Sequence, residues 1–70
     1  MTEIHAEMVA GVHRVTAAPG DRVGAGAVLL LLESMKMEIP VLTEEPGTVV
    51  SIDVAEGDVV REGDLLAVVE

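Results

Sequence analysis

The sequence predicts an all-β domain, a flattened barrel or sandwich built from two related halves. Three observations predict it. Half of the 70 residues are hydrophobic, yet Phe, Tyr and Trp are absent and seven residues are glycine. Aliphatic and β-branched residues punctuated by turn formers favour short strands. The hydrophobic runs are separated by Gly-Asp pairs, which mark turns. The chain also repeats itself: Pro19–Glu33 reads PGDRVGAGAVLLLLE and Glu56–Glu70 reads EGDVVREGDLLAVVE. Gly20 falls on Gly57, 37 positions later, and Asp21, Val23, Gly26, Leu29 and Glu33 fall on Asp58, Val60, Gly63, Leu66 and Glu70.

Each repeat carries the same series of elements. An alternating stretch comes first, with Val12 against Arg14 and Thr16 in one copy and Val49 against Ser51 and Asp53 in the other. Period two predicts a strand there. The Gly-Asp turn follows, because glycine takes positive φ cheaply and aspartate bonds its own backbone. A single valine, Val23 or Val60, leaves room for no more than a bridge. A second turn glycine, Gly26 or Gly63, leads into an apolar run, Val28–Leu32 or Leu65–Val69. A run apolar on successive residues predicts a strand covered on both faces. A helix over Ala27–Leu32 is excluded by its length and by Gly26 and Pro40 near its ends. Neither unit can bury a core alone, so the two pack about a pseudo-two-fold axis.

Composition excludes several classes of function. The formal charge is −9, from thirteen acids against four bases. Neutralising phosphate takes clustered Lys and Arg, so neither nucleic acid nor an anionic membrane is an expected partner. The two histidines, His5 and His13, have no third ligand patterned around them, so no metal site is expected. His13 lies on the polar side of its strand and reads as plain surface. Cysteine is absent, which leaves the core without disulfide support. The first residues have neither a basic start nor an apolar stretch, and the expected location is cytoplasmic.

The symmetry breaks between the copies, at Ser34–Thr43 (SMKMEIPVLT), which has no counterpart after Glu70. Ile39, Val41 and Leu42 predict a return strand, which leaves Met35-Lys36 near the tip of a tight hairpin. This tip lacks the Asn-Gly or Gly-Gly that a two-residue turn prefers, and a broken local rule at an exposed point marks a candidate site. Lys36 is the only lysine; the other cationic side chains are Arg14, Arg22 and Arg61. Guanidinium stays protonated, whereas a lysine amine is a usable nucleophile once deprotonated. Exposed methionines on either side of it, Met35 and Met37, offer adaptable contact surface to a partner.

Glu33-Ser34-Met35-Lys36-Met37-Glu38 resembles the biotinylation motif of biotinyl domains, whose core is Met-Lys-Met. The paired Gly-Asp turns, the Gly26/Gly63 pair and Gly47-Thr48-Val49 extend the resemblance over nearly the whole chain, residues 1–70 as a single domain. It departs from the family at Glu7–Gly11, which lacks the usual proline-rich lead-in, and at Ser34, often alanine. The resemblance implies a flattened eight-stranded β-barrel of two pseudo-symmetric halves, with the lysine on a protruding hairpin. It also implies that biotin protein ligase joins biotin to Lys36 as an amide. Met35 and Met37 would be recognition residues, with Glu33, Ser34 and Glu38 as further parts of the motif. The carried biotin would take a carboxyl group from a biotin carboxylase to a carboxyltransferase, the domain itself being no enzyme. Two alternatives stand beside this reading. A lipoyl-type carrier shares the barrel but usually has an acidic residue directly before the lysine, where Met35 stands here. An unmodified binding module is the other.

Overall fold

The computed structural model describes residues 1–70 and contains eight strands and no helix. They are β1 Thr2–His5, β2 Ala10–Val15, β3 Arg22–Val23, β4 Val28–Ser34, β5 Met37–Leu42, β6 Gly47–Ile52, β7 Val59–Val60 and β8 Leu65–Val69. Two four-stranded antiparallel sheets result, in the orders β1-β8-β6-β3 and β5-β4-β2-β7. The repeat is visible in this arrangement: β8 and β4 take equivalent places, as do β6 and β2, and the two-residue β3 and β7. The single valines expected to make bridges each belong to a two-residue strand.

The Gly-Asp turns fold alike because they carry the same atoms. The Asp21 carboxylate accepts from the Ala18 amide at 2.9 Å, and the Asp58 carboxylate accepts from the Ala55 amide at the same distance. The return bonds, Asp21 N–H to Ala18 C=O and Asp58 N–H to Ala55 C=O, are both 3.0 Å. Gly20 and Gly57 hold φ of 95° and 93°, a region where a side chain would be strained. Gly47 serves another purpose. A Cβ there would collide with the backbone of Glu70, to which neighbouring Thr48 is bonded in both directions.

The core draws on both halves. Leu29, Leu30, Leu66 and Ala67 are fully buried, with Val12, Leu32, Val49, Val60 and Val69 packed around them. Thr43 is the one buried polar residue, and its hydroxyl donates to the Glu45 carbonyl at 2.6 Å. The apolar run of β4 is not covered evenly on both faces. Leu31 is half-buried and Val28 is exposed, while consecutive Leu29 and Leu30 are both inside. A register irregularity against β5 between Val28 and Leu30 permits this, since a bulge interrupts the alternation of faces. The Leu29 carbonyl there accepts from both Thr16 and Ala17.

β1 was not legible as a strand in the sequence. It pairs only with β8, by Thr2 to Val69, Glu3 to Val68 and Ile4 to Ala67, and forms one sheet edge. His5 fixes its far end: Nδ1 lies 2.9 Å from the Gly63 carbonyl oxygen and Nε2 3.0 Å from the Glu3 carboxylate. Both partners are acceptors, and only the protonated ring can donate to both. The bond to Gly63 and then that to Glu3 raise the His5 pKa above its ordinary value, against a small opposing effect of desolvation. A group whose pKa is higher folded than unfolded stabilises the fold fully below the unfolded pKa, and loses that contribution as pH rises through the folded one. The thermal midpoint is therefore expected to fall slightly as pH rises past the ordinary histidine range. His5→Gln should flatten that slope in melting curves recorded across pH.

Candidate functional site

The β4–β5 hairpin is the stalk of the site. Its register pairs Leu30 with Val41, Leu31 with Pro40, Leu32 with Ile39, Glu33 with Glu38, and Ser34 with Met37. Only Met35 and Lys36 remain for the turn. Both take positive φ, 54° and 62°, and they are the only non-glycine residues of the chain to do so. A two-residue loop with left-handed geometry at both positions matches the right-handed twist of the strands it joins. The conformation itself is costly for side-chain-bearing residues. The missing Asn-Gly noted in the sequence thus becomes stored backbone strain at one exposed point.

Met35→Gly is expected to leave stability unchanged or raise it by up to about 1 kcal/mol, although glycine normally costs this much in an ordered element. Urea denaturation checks this. A loss of about 1 kcal/mol or more would show that the turn is not strained.

The turn presents its side chains to solvent. Met35 is 89% exposed and Met37 61% exposed. Lys36 is likewise exposed, and no hydrogen bond or ion pair engages its amine. A nucleophilic amine placed in this way is open to a reaction partner from the outer side.

Just below the tip, Glu33 and Glu38 stand directly opposite one another. Like charges in that relation oppose strand pairing. His13 stands between them, with Nδ1 3.3 Å from Glu33 and Nε2 3.2 Å from Glu38. His13 is exposed on the polar side of its strand, as expected, and the structure adds its place between these two carboxylates. Alternation puts it there: Val12 and its partner Leu32 are buried, so the next residues, His13 and Glu33, share the outer face with Glu38. What no local pattern in the sequence signals is that β2 pairs with β4, which brings the three side chains together. Ser34 is half-buried beside the turn and pairs with Met37, so all six residues of Glu33–Glu38 are brought together.

A family model described as "Biotin-requiring enzyme", the biotinyl and lipoyl domain family, matches residues 2–69. The chain belongs to this family. Among relatives of this biotinyl domain, the biotinylated protein TB7.3 homolog of Mycobacterium leprae is 52% identical over 67 residues, covering 96% of this chain and 94% of that protein. The urea carboxylase of Kluyveromyces lactis contains a similar fold, with a TM-score of 0.92 and 35% identity. That likeness covers 99% of this chain but 6% of the enzyme, so it concerns one small part of it. The lipoyl domain of the 2-oxoglutarate dehydrogenase complex from Azotobacter vinelandii is similar over nearly all of its length. It shows a TM-score of 0.78 and 25% identity, over 96% of this chain and 95% of that one. The expected two-sheet, eight-stranded β-fold is thus the one observed.

Proposed function

We propose that Lys36 is the attachment point for biotin and that the domain acts as a carboxyl carrier. One observation carries the reading. The only side-chain primary amine of the chain stands exposed at the apex of a strained two-residue turn, between Met35 and Met37. The residues fit the group: attachment by an amide needs an unencumbered amine and space around it, and the tip supplies both. The deprotonated Lys36 amine attacks an activated carboxyl group held by a biotin protein ligase, a C–N bond forms, the bond to the activating group breaks and that group departs with its electron pair, and the nitrogen releases one proton to solvent. Amide formation removes the lysine charge, so the formal charge goes from −9 to −10.

Bound biotin supplies a ureido nitrogen able to carry a carboxyl group. The chain's part is mechanical. The hydrogen-bonded β4–β5 stalk holds the tip away from the barrel, and tethering turns a two-site transfer through solution into a local search at raised effective concentration. The partners that follow are the ligase, a biotin carboxylase and a carboxyltransferase, all in the cytoplasm. The lipoyl alternative is compatible with the same barrel and hairpin. Against it stand Met35 and Met37 where lipoyl motifs place an acidic residue and alanine.

Intact mass spectrometry of the protein isolated from its own cells, with streptavidin capture, separates the readings. One biotinyl adduct per chain is the expected result. A lipoyl adduct would keep the fold and change the pathway. No adduct, even after incubation with biotin ligase, ATP and biotin, would leave an unmodified binding module.

A further inference from the structure

Away from the tip, a groove of about 330 Å³ runs between β1 and β5, the outer strands of the two sheets. Its apolar side is made by Ile4, Ile39, Pro40, Val41 and the exposed edges of Met8 and Leu42. Glu3, Glu7 and Glu44 supply its charged groups, and no Lys or Arg lines it. His5 is the one basic group present, and Glu3 and the Gly63 carbonyl already hold it.

The edge of β5 limits what can bind. Pro40 stands opposite Leu31, between the pairs Leu32–Ile39 and Leu30–Val41. Proline has no N–H, so the middle of this free edge lacks a donor, and a strand from another chain cannot add across it continuously. An occupant must therefore be recognised through its side chains. Lysine and arginine stems lie along apolar surface while their heads reach a polar rim. A groove of aliphatic residues edged by the unpaired carboxylates of Glu7 and Glu44, with Glu3 beside them paired to His5, on a chain of net charge −9, matches that side-chain chemistry.

We propose that the β1–β5 groove docks a basic, aliphatic peptide segment of a partner protein. Such docking does not depend on Lys36 or its modification. Because β5 begins at Met37, directly after Lys36, a segment seated along it lies beside the strand that leads to the tip.

The test is a titration of the ¹⁵N-labelled full chain, followed by amide shifts, with an eight-residue peptide alternating lysine and leucine. Shifts are expected at Ile4, Ile39, Val41 and Leu42. The variant Glu3→Gln/Glu7→Gln/Glu44→Gln should bind about tenfold more weakly at low salt. The charge-matched variant Glu45→Gln/Glu62→Gln/Glu70→Gln should bind as the wild type does. A lysine–serine peptide of equal charge should bind at least several-fold more weakly, since it has nothing to lay on the apolar side. Equal weakening in both triple variants, equal binding of the two peptides, or shifts mapping elsewhere would each overturn the proposal. The same titration on chain with and without the Lys36 adduct should give the same affinity, which keeps this proposal separable from the carrier reading.

Discussion

Lys36→Arg is expected to abolish biotin incorporation while leaving the fold intact. Arginine keeps the positive charge and a long flexible stem at the tip, so recognition by charge alone would survive. It does not keep a nucleophile, because the guanidinium remains protonated at any ordinary pH. The remaining side chains offer no substitute: no other lysine exists, and the only other primary amine is the N-terminus. Position 36 is exposed and makes no ion pair, so the change in stability should stay within about 0.5 kcal/mol. Intact mass after incubation with ligase, ATP and biotin reads the first effect, and urea denaturation the second. Incorporation that persists in the variant would place the modified group elsewhere and remove the basis for the carrier reading.

The second large effect is on stability. Leu30→Ala and Leu66→Ala are each expected to cost about 2–5 kcal/mol, because both side chains are fully buried in the shared core and the barrel cannot collapse around the cavity. A domain of 70 residues has roughly 4–10 kcal/mol in total. Either substitution therefore removes a large share of it, and the two together should unfold the chain. With no aromatic residue anywhere, no large neighbouring ring is at hand to shift into the space. The two leucines come from different halves, so similar losses would show that the halves share one cooperative core. No loss in either variant would contradict the packing described above.

Much of this was legible in the residues themselves. The Gly-Asp turns, the repeat 37 positions apart, the position of the hairpin tip and the singular lysine all rest on local chemistry or on sequence self-similarity. A turn that needs positive φ selects glycine wherever it lies, and an aspartate three residues from the amide it accepts is written within four positions. Other features depend on partners distant in the chain. Thr2–His5 carries too little apolar content to announce a strand, and becomes one by pairing with β8 at the other end of the molecule. Leu29 and Leu30 are both buried because of a register slip against β5. His13 meets Glu33 and Glu38 because β2 pairs with β4 and β4 with β5, which brings one outer face together from three strands. Residue periodicity records which face a side chain takes in an ideal strand. A bulge changes that face by one residue, and whether one forms is decided by how two strands fit once the sheets have closed on each other. The turn of Met35 and Lys36 belongs to the same class: the twist of the paired strands imposes left-handed geometry on residues that would not choose it alone.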